Sequence, residues 1–288
     1  MGINIKPICK MTGGQDGAIY GEHLFRFGSR GHGYAYDIGA LGVEYSELSP
    51  IAEFELDGCD VIAPHSNSVV FGAEKFSEDD EFPLLYSNVY NNYAKCKDKL
   101  VGTTCVYRIM RDGDGFSTKL VQLIEIGFTN DRALWRSSGD VEDVRPYGNF
   151  VIDRDKGLYI AFVMRDYDHN TRYFAFDLPR LSDGTFDESY GVNRVVLTAD
   201  DIKWYFDTPY HNYIQGATCH EGRVYSVEGF HESIHPAIRV IDLDKREQVL
   251  HHDFFLSGQP HEAEFIDFYR GRCIYSDAHG NTFELTFG

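Results

Sequence analysis

The chain has 288 residues, with 45 acidic against 27 basic side chains and a formal charge of −18. That balance repels a phosphate backbone or an anionic membrane surface, and no Lys/Arg cluster offsets it, so nucleic acid is not an expected partner. No apolar run approaches the roughly 20 residues that span a bilayer, and the length suits one closed all-β domain over residues 1–288.

Taken in chain order, Ile3 to Ile8 alternates apolar and polar residues, the period of a strand with one buried face. Gly17 to Tyr20 and His23 to Phe27 read as two strands joined by a tight turn, followed by Tyr34 to Ile38 and Ile51 to Leu56. The series returns as Asn67 to Phe71, Pro83 to Ser87, Val106 to Ile109 and Lys119 to Ile126. It returns again as Asn149 to Asp153, Gly157 to Phe162, Phe174 to Leu178 and Asn193 to Leu197. A fourth copy is Gln215 to Cys219, Gly222 to Ser226, Val240 to Leu243 and Glu247 to Phe254. The last is Glu262 to Asp267, Gly271 to Ser276 and Phe283 to Leu285, with no fourth strand after it.

A repeat made only of strands and turns predicts an all-β fold, a five-bladed β-propeller of four-stranded sheets. The N-terminal strand closes the last blade beside Asn281 to Phe287, which removes an open sheet edge; Pro7 is tolerated on an outermost strand. Aromatic residues at 15%, with 19 Tyr and 21 Phe, suit blade faces packed on one another.

Local chemistry fills in the turns. Asp37, Asp177 and Asp242 end third strands, where a carboxylate accepts backbone N–H groups and closes the turn. Thr198 to Tyr205 opens with a capping residue and an acidic first turn, which predicts one short helix. Gly72 to Phe82, Asn91 to Gly102, Thr129 to Asp143 and Ser182 to Val192 read as insertions carried by blades. Asp112-Gly113-Asp114-Gly115 is a hairpin turn rather than a calcium loop, since no EF-hand Glu follows. The run Glu78 to Glu81 reads as a solvated acidic tip. The six cysteines (Cys9, Cys59, Cys96, Cys105, Cys219, Cys273) form no CxxC, so neither zinc nor a disulfide framework is predicted. The start Met1-Gly2 leads directly into strand, which implies a cytoplasmic chain if that start is native and an exported one if a leader has been removed.

In such a toroid the first residues of the inner strands converge on the axis. Aligning the repeats places Gln15, Asn67, Asn149, Gln215 and Glu262 or Glu264 at one depth, a ring of amides closed by a carboxylate. Just before it stand His65, Tyr147, His211, Asn212 and His261, and the second to fifth blades each introduce this position with a Pro. This constellation is either a polar funnel that binds a ligand or a set of residues that hydrates the axis and ties the blades together. As a funnel it suits a small polar ligand, a sugar or a peptide end, or the surface of a protein partner. A calcium ion held by amide carbonyls and Glu264 is one occupant; another divalent metal on His65, His211 and His261 is a second. The catalytic alternative places an acid–base pair there, Glu262 or Glu264 with His261, acting on a glycan or a peptide terminus.

The chain resembles five-bladed propellers of the glutaminyl-cyclotransferase-like and bacterial repeat type. The residues that carry this are Ile214-Gln215-Gly216-Ala217, echoed by Gly14-Gln15-Asp16-Gly17. They share the Gln-Gly of that family's Thr-Gln-Gly motif, with Ile214 in place of the Thr. The resemblance implies the fold and adds cyclotransferase chemistry to the catalytic alternative; fold alone assigns no activity. Sequence thus leaves a recognition propeller and an enzyme at the same axial position as the two readings.

Overall fold

Alternating apolar residues build five sheets arranged as a five-bladed β-propeller. This computed structural model describes residues 2–62, 64–89, 100, 102–127, 145–164, 170–209, 211, 213–230 and 234–288, with backbone alone at 145–148, 163 and 164. The first blade comprises Gly17–Tyr20, His23–Phe27, His32–Asp37 and Ala52–Glu55, and the fourth Ile214–His220, Arg223–Phe230, Ile234–Asp242 and Glu247–Asp253. The last blade comprises Ala263–Tyr269, Arg272–Asp277 and Asn281–Phe287, and the N-terminal strand Ile3–Lys10 closes it as the sequence predicts. That closure is antiparallel, from Ile3 opposite Phe287 to Lys10 opposite Asn281. Ser46–Glu47 then adds a short parallel pairing on the outside of Cys9 and Lys10.

Five apolar clusters hold the ring, one at each junction between blades. Between the first and second blades Phe25 sits edge-on to Phe82 and Phe116, both with ring centroids 5.2 Å away, and to Phe71 at 5.8 Å. Edge-to-face contact sets the positive ring edge against a negative ring face, so these rings gain attraction beyond their buried area.

Two outer strands differ from the sequence expectation. The third blade comprises Arg145–Asp153, Leu158–Met164, Thr171–Asp177 and, outermost, Trp204–Thr208, not Asn193 to Leu197. Val192–Leu197 instead pairs in parallel with Gly115–Ile126 of the second blade, with Gln122 opposite Asn193, and Thr185–Asp187 pairs outside it. Both segments alternate, so the period alone does not choose between them. The 12-residue strand Gly115–Ile126 leaves a long edge for Val192–Leu197 to cover. Trp204 and Phe206, two residues apart, reach the cluster between the third and fourth blades. The helix predicted over Thr198 to Tyr205 is reduced to a three-residue 3-10 turn, Ala199–Asp201, whose capping box is formed by Thr198 and Asp201.

The remaining turn chemistry divides. Gly39 N–H donates to Asp37 at 2.9 Å and Lys245 N–H to Asp242 at 3.0 Å, whereas Asp177 pairs with Lys203. The acidic run is not simply a solvated tip, since Asp80 and Glu81 bind Arg108 and Arg111. Asp112 and Gly115 close a hairpin, with Gly113 in the left-handed region. Five cysteines are described and none is in a disulfide; Cys96 lies outside the described residues, as do 91–99 and 129–143 of the predicted insertions. No described helix is long and apolar enough to cross a membrane.

Candidate functional site

The inner strands meet at the axis through side chains as well as backbone. Asp16, at the head of the first inner strand, is fully buried and accepts the N–H of Val69 from the second blade at 2.9 Å. That bond ties the first blade to the second at the axis. Burial pushes Asp16 well above the usual carboxyl range, against the lowering effect of the Val69 N–H. Deeper along the axis, Asp267 accepts Ile19 N–H at 2.7 Å and the Thr218 hydroxyl at 2.9 Å, joining the fifth blade to the first and fourth.

Two of the predicted amides belong to this same lacing. Asn88 donates to Asn67 Oδ1 at 2.6 Å, and Asn67 Nδ2 donates to the Ile214 carbonyl at 3.3 Å. Ser68 Oγ donates to Asn149 Oδ1 at 3.4 Å and accepts Phe150 N–H at 3.4 Å. Asn67 and Asn149 therefore tie the second blade to the fourth and third, and both are buried.

The other amides hold carboxyls. Gln15 Nε2 donates to Glu264 Oε1 at 3.2 Å, and Gln215 Nε2 donates both to Glu262 Oε1 at 2.6 Å and to the Gly229 carbonyl at 3.0 Å. The fifth blade thus presents two carboxyls, each gripped by an amide from a neighbouring blade. A bulge explains the display: pairing slips between Ile214 and Gly216 and again between Ala263 and Phe265, leaving Gln215 and Glu264 as the extra residues. Bulged residues lose their ladder partner and turn their side chains out of the regular alternation.

Glu264 is only 3% exposed, and its Oε2, like Gln15 Oε1 and Asp16 Oδ1, has no hydrogen-bond partner among the described residues. Burial first, then repulsion from Glu262, pushes its carboxyl well above the ordinary value, while the Arg26 guanidinium opposes the shift. Arg26 is itself buried and donates to the carbonyls of Gly14 and Gln15 and to Ser276 Oγ, so it fixes the loop that carries Gln15. Glu262 is half-buried. Beside this group Tyr213 stacks on the exposed Phe230, ring centroids 5.1 Å apart. Tyr213 holds φ at +46°, a left-handed conformation that costs a residue with a Cβ about 1–2 kcal/mol. Gln215 links the two features, because Gly229, whose carbonyl it binds, precedes Phe230.

Gly216 lets the strands close here. A Cβ on it would lie 2.6 Å from the Glu264 carbonyl oxygen and 2.9 Å from Asp16 Oδ1. Gly216→Ala is therefore expected to lower the thermal midpoint by roughly 5 °C or more, since backbone must move and each kcal/mol is worth about 2–4 °C at this size. An unchanged melting curve by differential scanning calorimetry would show that the axis is looser than described.

The histidines do not join this group. His211 is fully buried behind it, its N–H bonded to Thr171 Oγ1 at 2.9 Å, and burial lowers its imidazole to about 3, so it is neutral. Its charged neighbours are Glu228, Arg239 and His251 of the fourth blade. His261 is exposed and packs against His279, ring centroids 4.5 Å apart, beside a groove of about 190 Å³ that includes Pro7, Cys9 and Tyr45. His65 is half-buried on the connection into the second blade. Among the described residues no three His, Cys, Asp or Glu side chains are grouped to hold a metal ion, so His65, His211, His261 and Glu264 are not brought together as a metal centre. Arg272 does not neutralise the site, since it pairs with Glu284. Asn212 and the side chains of Tyr147 and Arg145 lie outside the described residues.

Sequence reasoning missed Asp16, Arg26, Ser68 and Asp267. The available signal was an acid or cation inside an apolar inner strand, as in Phe265-Ile266-Asp267-Phe268 or Leu24-Phe25-Arg26-Phe27.

Solved structures share the architecture. A candidate oxidoreductase (glucose dehydrogenase) from Thermus thermophilus is 9% identical over 99% of each chain, with a TM-score of 0.50. Myxococcus xanthus glutaminyl cyclase is 11% identical over 98% of each chain, at 0.47. A luciferin-regenerating enzyme is 10% identical over 99% of this chain and 96% of its own, at 0.46. Identities this low show the fold alone. No protein-family model and no curated protein sequence matches the chain.

Proposed function

We propose that this propeller binds a sugar at the heads of its fourth, fifth and first inner strands. The observation that carries the reading is the buried Glu264 carboxyl, whose Oε2 lacks a hydrogen-bond partner among the described residues, next to the equally unmatched Gln15 Oε1. Buried polar atoms are normally satisfied, and an unmatched carboxyl oxygen beside an unmatched amide oxygen at a strand head favours a ligand that both donates and accepts. A sugar supplies hydroxyls that donate and accept, and its C–H faces pack on aromatic rings such as Tyr213 and Phe230. Each carboxyl is held by an amide, Glu264 by Gln15 and Glu262 by Gln215, which favours recognition over the Glu/His pair considered from sequence.

The test is calorimetric titration of the intact protein with a panel of mono- and disaccharides. At least one sugar should bind, and Glu262→Gln and Phe230→Ala should each weaken it by about tenfold or more, the equivalent of one well-made contact at 1.4 kcal/mol. Binding that ignores both substitutions, or no binding across the panel, would remove the reading.

A further inference from the structure

At the outer rim of the junction between the second and third blades, two strands run beyond the neighbours that cover them. Thr185–Asp187 covers Val192–Leu197 only from Val192, opposite Asp187, to Arg194, opposite Thr185. Gly184, at φ +91°, then turns the covering chain off the edge. Val195, Val196 and Leu197 therefore pair with Gly115–Ile126 on one side and with no described strand on the other. In the third blade, Trp204–Thr208 covers Thr171–Asp177 only as far as Ala175, opposite Trp204, and the Ala175 carbonyl takes the Lys203 N–H at 2.8 Å. Phe176 and Asp177 keep Tyr159 and Leu158 as inner neighbours but have no described strand outside them. Both uncovered ends line one cavity of about 510 Å³, within the roughly 300–1,000 Å³ of ligand clefts. An unpaired strand edge offers N–H and C=O groups that take up a further strand.

The walls select the chain that fits. Phe176, Leu178, Val195, Leu197 and Ile202 give the cavity an apolar lining, continuous with the apolar cluster between these two blades. Asp177, Asp183, Asp200 and Asp201, all exposed, stand along it against one cation, Lys203. Local bonds fix three of these carboxylates in place. Asp201 Oδ2 accepts the Thr198 N–H and hydroxyl, both at 2.7 Å, Asp183 Oδ2 accepts the Arg180 N–H at 2.8 Å, and Asp177 pairs with Lys203 at 2.7 Å. The same charges repel a second copy of this chain, whose formal charge is −18, so the edge is closed to self-pairing and open to a cationic segment. We propose that this cavity docks an extended segment of a protein partner in which apolar residues alternate with Lys or Arg, added as a strand on the Val195–Leu197 edge. Main-chain bonds to that edge hold the segment, its apolar side chains pack on the lining, and its basic side chains pair with the carboxylates.

The experiment follows the fluorescence anisotropy of a labelled, capped octapeptide of alternating Lys and Val titrated with the intact protein at low salt, about 20 mM, where surface charges are weakly screened. The wild type should bind it with a Kd below roughly 1 mM, and the same peptide with Glu in place of Lys should not bind. The double variant Asp177→Asn/Asp200→Asn changes exposed side chains and should weaken binding about tenfold or more while keeping the wild-type melting temperature. Strand addition has its own signature, because alternate N–H groups of an extended peptide face the same side. N-methylation of every second residue should abolish binding in one phase and spare it in the other. Equal effects of the two phases would mean attraction to the acidic surface at large and would overturn the docking. Binding that ignores the Asp177/Asp200 substitutions, or no binding of the Lys/Val peptide, would overturn it as well.

Discussion

Asp16→Ala should destabilise the protein by about 1–3 kcal/mol, because it orphans the Val69 N–H of the second blade in a site that water does not reach. Asp16→Asn keeps an acceptor oxygen in place and should cost about 1 kcal/mol. Urea unfolding of the two variants beside the wild type separates them; an Asp16→Ala protein as stable as the wild type would mean that the carboxyl does not join the blades. The same group makes a statement about pH. Asp16 and Glu264 both hold their protons more tightly folded than unfolded. As pH rises above about 4 the unfolded chain loses these protons first, the folded chain binds more of them, and this contribution to stability falls until the raised folded values are passed. Asp16→Asn and Glu264→Gln should each remove part of that decline.

Arg239→Ala should have a larger effect at a different place. Arg239 Nε donates to both oxygens of Glu228, at 3.0 and 2.9 Å, and Nη1 donates to Gln248 at 2.8 Å; both charged partners are nearly buried. Removing one partner strands a buried charge, which typically costs about 3–5 kcal/mol, whereas replacing both by apolar groups of similar volume is often close to neutral. Burial pushes Glu228 up, but His251 and the two bonds from Arg239 hold it below its usual value. Loss of Arg239 is therefore expected to raise it and to shrink the stabilisation that Glu228 otherwise gives above the ordinary carboxyl range and loses as pH falls. Chemical unfolding of Arg239→Ala and of the double variant Glu228→Leu/Arg239→Met tests this: a double variant as damaged as the single one would contradict a stranded-charge mechanism.

The five-fold repeat was legible because turns and period-two alternation are local properties, written wherever a strand such as Arg223–Phe230 follows a Gly turn. The closing N-terminal strand was legible for a topological reason, since the last repeat lacked a partner that Ile3–Lys10 could supply. Val192–Leu197 was misplaced because its alternation fits either blade, and only the parallel register against Gly115–Ile126 decides. The candidate site was half legible. Gln15, Gln215, Glu262 and Glu264, which the alignment of the blades set at one depth, form two hydrogen-bonded pairs. The Pro-His echo misled, because His211 and His261 share a sequence context, but His211 is buried against Thr171 and Tyr173 of the third blade whereas His261 is exposed beside His279. Bulges shift the register at the strand heads, so equal distance from a turn does not mean equal direction. Asp16 and Arg26 were invisible as site residues because their partners are 53 and 250 residues away along the chain.

The central claim, that a protonated, buried Glu264 faces a sugar, is tested most directly by carbon-13 NMR of the side-chain carboxyls of Glu262 and Glu264, titrated from pH 3 to 9 with and without the best-binding sugar. The account predicts that Glu264 titrates well above the ordinary carboxyl range and that the sugar moves both carboxyl resonances, whereas it leaves the deep Asp267 resonance in place. A Glu264 that titrates in the ordinary carboxylate range and does not respond to sugar would contradict it.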